Sequence, residues 1–397
     1  MYLLRLRLIV VVLLSASLMA CNTIEHQSEA IAKVALPAIA KDQGASKKIW
    51  SAHYGAGVGK NDVPLRLALA ASTVVLADYQ GTIIALDRIT GKKRWSVKHR
   101  EPFSAGPSIV EDCVLLGTEE GSVLSYKLSD GAFMWRASVG SPVFAGIRGN
   151  SKALFVHTLA DTVVALDPAD GQRKWSYAAS TPSLILRRSS SPVLYHDAIL
   201  VGLSTGQLVA IDQVTGVVLW QKEIAASKGR SETQRMIDLS ADPLLQGNLV
   251  YAVGYQGNVA ALKANTGELL WEQSLSSYAG LAVEDRTLVV PDHRGTLYAF
   301  DAITGKQRWK MLGLVGRRLT KPLCVGTMVL VGDDEGLVHW IDLESGHYVG
   351  RQSIDSKGIE APLMLKEGII YILGLSGKVV ALPEAFFHQE NKASIKQ

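Results

Sequence analysis

The sequence predicts an all-β protein, an eight-bladed β-propeller of four-stranded antiparallel blades whose ring is closed by pairing of N- and C-terminal segments. Three observations carry that expectation. A phrase running from Gly to Trp, with Asp-x-x-Thr-Gly inside it, recurs along most of the chain, as in Gly81 to Trp95 and Gly295 to Trp309. Its interval is near 40 residues, the period of one supersecondary unit stacked on copies of itself. One Trp, Trp50, stands at the far N-terminal end with no phrase before it, and the last phrase breaks off at Leu382 before reaching a Trp.

Each element follows from the phrase. After the opening glycine, a short apolar run such as Ile83-Ile84-Ala85-Leu86 reads as a half-buried or fully buried strand. Asp-x-x-Thr-Gly is then a tight turn. The Asp and Thr side chains bond nearby backbone N–H groups, and Gly takes a positive φ. The following strand ends in Trp, large enough to wedge between neighbouring sheets. Two further strands lie between phrases. A Pro stands 14 residues before the opening position in four repeats (Pro107, Pro192, Pro243, Pro322) and 15 before it at Pro362. Pairs such as Ser108-Ile109-Val110 and Val114-Leu115-Leu116 follow these prolines. Four short strands per repeat make a blade.

The opening positions are Gly81, Gly121, Asp161, Gly206, Gly257, Gly295, Gly336 and Gly377, which makes eight blades. The eighth lacks its outer strand, and residues 47–53 around Trp50 supply it, leaving no open sheet edge. Trp50, Trp95, Trp135, Trp175, Trp220, Trp271 and Trp309 then share one structural position, and Trp340 stands apart.

Residues 1–20 read as an export signal. Arg5 and Arg7 form a basic start, Leu8 to Leu14 an apolar stretch too short to span a bilayer, and Leu18-Met19-Ala20-Cys21 resembles a lipobox. Cys21 becomes the lipidated first residue, and several acyl chains make a stable anchor. Asn22 after it favours the outer membrane, by resemblance to enterobacterial sorting. The division is therefore 1–20 signal peptide, 21–46 lipidated Cys and flexible tether, 47–382 propeller and 383–397 C-terminal tail. Without residues 1–20 the chain carries 39 basic and 37 acidic residues, or +2, which excludes an electrostatic nucleic-acid surface. Cys113 and Cys324 fall on strands of blades that are not neighbours, so they are expected as free thiols.

The distance from opening position to Trp is 14 in all six complete phrases, so length varies only between Trp and the next Pro. That crossover is 12 residues from Trp95 to Pro107 and 13 from Trp309 to Pro322, but 17 from Trp175 to Pro192 and 23 from Trp220 to Pro243. The two long crossovers are consecutive and lie side by side on one face. The first carries Leu184-Ile185-Leu186-Arg187-Arg188, and the second Arg235, Asp238 and Asp242. Apolar side chains among charges of both signs suit a protein-docking surface; leucines tucked under their own loop would serve equally well.

No residues point to chemistry. None of the nine His has close metal-ligand spacing, and His157, His293 and His339 are expected to be structural. Gly332-Asp333-Asp334-Glu335-Gly336 occupies the position of polar turns elsewhere, so no metal is expected. The recurrent Asp87, Asp167, Asp212, Asp301 and Asp342 are turn residues.

The Ala-x-Asp-x-x-Thr-Gly-x-x-x-Trp phrase resembles the quinoprotein-type repeat. One alternative is therefore a dehydrogenase dependent on pyrroloquinoline quinone. That class uses an adjacent cysteine pair, and this chain has none and no inserted segment. Another alternative is a generic periplasmic protein-binding propeller. Over its whole length the chain resembles the BamB family, non-enzymatic lipoproteins of the outer-membrane β-barrel assembly machinery, without cofactor. That resemblance implies an anchor at Cys21 facing the periplasm, and binding to the periplasmic domains of BamA and to other subunits. Nascent outer-membrane proteins are implied as further partners. Leu184, Leu186 and Arg187 match the family's first BamA-binding motif, and Arg235 and Asp238 its second. Where the family has a further Asp, this chain has Ser240.

Overall fold

The computed structural model describes residues 31–39, 46–58, 65–182, 184–225 and 237–385. They form eight four-stranded antiparallel sheets arranged as blades. Seven blades are continuous in sequence, the first running from Ala68–Leu69 through Thr73–Ala77 and Thr82–Asp87 to Lys93–Lys98. The eighth takes Met364–Lys366, Ile369–Leu373 and Lys378–Pro383 from the C-terminal end, and Trp50–His53 from the N-terminal end. Trp50 pairs with Ala381 and His53 with Lys378. The predicted closure is therefore present. The last strand reaches Pro383, one residue into the expected tail.

The second and third strands of each blade are the core. Thr73–Ala77 is buried throughout, and Ile83, Ile84, Ala85 and Leu86 are each at most 3% exposed. This explains why these strands read as apolar runs, since neighbouring blades cover both faces. The outer strand Lys93–Lys98 alternates instead, because only its inward side chains meet the next blade.

The turn chemistry appears as expected. Asp87 Oδ1 accepts hydrogen bonds from Thr90 N at 2.9 Å and Thr90 Oγ1 at 2.9 Å. Asp212, Asp301 and Asp342 repeat the arrangement. The turn glycine does more than bend the chain. Each of Gly91, Gly131, Gly171, Gly216, Gly267, Gly305 and Gly346 lies under the indole of the preceding blade, at φ between +69° and +76°. A Cβ there would stand 2.5–2.7 Å from the preceding blade's side chains, nearly always the indole itself. The indole Nε1 then donates to a backbone carbonyl just past the third strand, as from Trp135 to Pro168 at 3.0 Å and from Trp175 to Gln213 at 3.0 Å. Trp and Gly are thus one interlocking device, repeated at seven blade junctions.

The eighth junction explains the missing Trp. At position 350 the chain has Gly, and a Trp there would need a glycine turn on blade eight to rest upon. Blade eight has no such turn, because its third and fourth strands come from opposite ends of the chain. Trp340, fully buried on the third strand of blade seven, lies over Gly350 instead, 2.6 Å from where a Cβ would sit.

Part of the expected tether is docked. Lys33 forms ion pairs with Asp334 at 2.9 Å and Glu335 at 3.1 Å. Val34 N donates to Val315 O at 3.0 Å, Leu36 joins the core between blades six and seven, and Arg351 donates to Pro37 O at 3.0 Å. Residues 33–37 therefore form a strap along the propeller and depart from the flexible tether read in the sequence. Cys113 and Cys324 are free and partly buried.

Candidate functional site

Within a blade, the crossover to the next blade and the turn between second and third strands lie on the same face, since strands alternate in direction. The two long crossovers meet there. Leu184 is 40% exposed, Leu186 is half-buried and Arg187 points outward. The Arg187 guanidinium lies 5.3 Å above the Phe144 ring and 3.3 Å from Glu119, so its direction is set from blade two. Arg188 turns the other way and lies 5.4 Å over the Tyr278 ring. Arg235 and Cys21 lie outside the described residues.

One carboxylate of the second crossover fastens the first: Asp242 Oδ1 accepts the backbone N–H of Ser191 at 2.6 Å. The buried Asp238 carboxyl faces the Leu186 amide, whose N–H favours its charged form. Asp238 is itself anchored through its backbone, with Tyr255 N donating to Asp238 O at 2.8 Å. The Ser190 Oγ and the backbone of Gly202 exchange hydrogen bonds at 2.9 Å, which ties the end of the first crossover to blade four.

Asp238 is buried, 2% exposed. The resemblance makes it a partner-contacting residue, but in the structure its carboxyl is buried and faces the Leu186 amide. Burial pushes its pKa up to about 8, and the nearby Asp161 charge pushes the same way. The Leu186 N–H and Arg188 oppose the rise.

Asp161 is the residue that sequence reasoning passed over. It is buried, accepts from Ser204 N at 3.1 Å and from the Ser204 hydroxyl, and lies 3.2 Å from His157 Nε2. His157 Nδ1 reaches Ser190 O at 2.9 Å. A signal for it was present, since Asp161 is the only non-glycine among the eight opening positions. It keeps the left-handed backbone there, at φ 50°, which Asp tolerates better than most residues. His157, His339 and Asp333 are similarly consumed by structure. His339 bonds Asp333 at 2.9 Å and Tyr348 at 2.8 Å, and Arg317 reaches the same Asp333 oxygen at 2.8 Å. Asp333 is thus a buried hub, more than the polar turn expected of it.

Ser240 is buried at the foot of the second crossover. Asp242 does not stand in for a second Asp at position 240. It turns toward the propeller axis, 3.3 Å from Arg66 and 3.9 Å from Arg148. Burial acts to raise its pKa, but Arg66, Arg148, Lys321 and the Ser191 N–H together hold it down at about 2.

Comparison with known proteins agrees with this architecture. The family profile described as outer membrane protein assembly factor BamB matches residues 42–311. The BamB of Pseudomonas aeruginosa is 45% identical over 341 residues, covering 86% of this chain and 90% of that protein. The BamB of Escherichia coli K12 is 32% identical over 381 residues, covering 93% and 97%. Among solved structures, BamB from Moraxella catarrhalis superposes with TM-score 0.79 at 23% identity, over 85% of this chain and 100% of that one. A quinohemoprotein alcohol dehydrogenase from Comamonas testosteroni superposes with TM-score 0.67 at 10% identity, over 85% and 76%, a likeness of fold alone. The chain belongs to the BamB family of outer membrane protein assembly factors.

Proposed function

We propose that this chain is a non-enzymatic scaffold of an outer-membrane β-barrel assembly machinery, anchored by lipid at Cys21 and facing the periplasm. Its long-crossover face binds the periplasmic domains of BamA through Leu184, Leu186, Arg187 and Arg235, with the buried Asp238 beneath Leu186. The observation that carries this reading is the fastening of the first crossover to the second, where Asp242 accepts the Ser191 N–H at 2.6 Å beneath the exposed Leu184 and Arg187. A loop held this way presents an apolar and a cationic side chain with little ordering left to do on binding, which favours affinity.

The direct test is calorimetry of the mature chain against the periplasmic domains of BamA, beside a variant carrying Leu186→Ala and Arg187→Glu. Both proteins are first checked for equal melting temperature. Binding by the parent and its loss in the variant support the proposal. Equal binding by both moves the site elsewhere, and no binding by the parent removes the partner.

A further inference from the structure

The crossovers of successive blades dip toward the axis and enclose a funnel of about 130 Å³ on the long-crossover face. That is roughly ten times the smallest space that holds one water. Part of its wall is apolar, through Val58, Leu65 and Leu375. The rest is cationic. Arg66, Arg188, Arg318 and Lys321 line it, and Arg148 stands beside Arg66 at the wall. Against these five cations the described residues bring two carboxylates, Asp242 and Glu360, a balance of 5 − 2 = +3.

Those carboxylates leave much of the charge unanswered. Asp242 gives one oxygen to the Ser191 N–H, and the other serves both Arg66 and, more distantly, Arg148. Glu360 is 3.2 Å from Arg318, at the mouth. Arg66 Nε is buried with no hydrogen-bond partner among the described residues. The Lys321 ammonium reaches none of them in an ion pair. Burial lowers the Lys321 pKa, and Arg66 and Arg148 lower it further while Asp242 opposes them. Like charges confined in a concave, partly apolar wall concentrate a positive potential. Guanidinium forks and an ammonium are the donors that oxyanions take.

We propose that the axial funnel is a receptor site for a small oxyanion ligand, a phosphate or a compact polycarboxylate, held by Lys321, Arg66 and Arg148. Such a ligand answers the excess charge and gives the Lys321 ammonium a counter-ion. The site borders the docking face, since Phe144 and Tyr278 line the funnel while carrying Arg187 and Arg188 on their rings. It does not depend on the partner assigned above.

The test is calorimetric titration of the mature chain with inorganic phosphate and, separately, with citrate, against sodium chloride of matched ionic strength. Saturable binding of either at one site per chain, weakened at least tenfold by Lys321→Gln, supports the site, and the arm that binds identifies the ligand class. Heat no greater than the chloride control in both arms overturns the proposal, as does unchanged affinity in a folded Lys321→Gln protein. Where that variant folds poorly, acetylation of the unmodified protein decides. Ligand that shields Lys321 from acetic anhydride supports the site, and unchanged labelling of Lys321 overturns it.

Discussion

Asp238 in the second long crossover turns its buried carboxyl toward the backbone N–H of Leu186 in the first, below a half-exposed leucine side chain. Asp238→Asn keeps an acceptor oxygen and Asp238→Ala removes it. We expect the alanine variant to weaken partner binding by about tenfold, the scale of one lost hydrogen bond, and the asparagine variant to change it far less. Equal losses in both would show that an amide oxygen does not stand in for the carboxyl and would overturn the acceptor account.

The same carboxyl makes stability depend on pH. Its pKa is raised from about 3.8 to about 8, so the folded state holds a proton that the unfolded state releases. Its contribution is fully present below pH 4 and is lost as pH rises through 8. The urea midpoint of the parent should therefore drop between pH 5 and pH 8.5 relative to Asp238→Asn. Parallel midpoints across that range would exclude this titration.

Exposed and buried residues of the site should separate cleanly in stability. Arg187→Ala removes a solvent-exposed ion pair, and its unfolding free energy should stay within about 0.5 kcal/mol of the parent. Leu239→Ala, at a fully buried position between the two crossovers' anchors, should cost about 2–5 kcal/mol. Chemical denaturation of the two variants gives both numbers.

The indole junctions predict a matched pair of losses. Trp135→Ala should destabilise by about 3–5 kcal/mol. Gly171→Ala should also destabilise, because its Cβ would fall 2.6 Å from that same indole at a φ of +75°. Restoring the repeat at its one exception should fail as well. Gly350→Trp drives a side chain into Trp340, and a melting temperature at or above the parent's would refute that account.

The strap predicts protection where the sequence suggests a tether. The Val34 amide, bonded to Val315 O, should exchange with deuterium more slowly than an unstructured amide. Leu36→Asp should abolish that protection while leaving the amide of Val289, deep in blade six, unchanged.

The fold was legible because the interlock of Trp and Gly needs both residues at fixed spacing in every blade, so packing wrote itself into the repeat. Even the exception at Gly350 carries a message, the absence of a turn on the closing blade. The face proposed for docking was legible only as position, from crossovers longer than the repeat requires. The inward turn of Asp238, the diversion of Asp242 to the axis and the seating of Leu36 depend on contacts between residues far apart in sequence, and periodicity is blind to those. Asp161 is intermediate, since its identity breaks the repeat but its partners come from neighbouring segments.

The pairing of Trp50 with Ala381 joins residues 381 − 50 = 331 positions apart. A chain made from its N-terminus therefore carries the edge strand at Trp50 long before the strand at Ala381 that pairs with it exists. Until then any folded blades form an arc with two sticky ends. Closure is thus a test of completeness built into the topology, because a truncated chain has no route to a ring without edges. Such a species is left to pair with a neighbour or to be degraded.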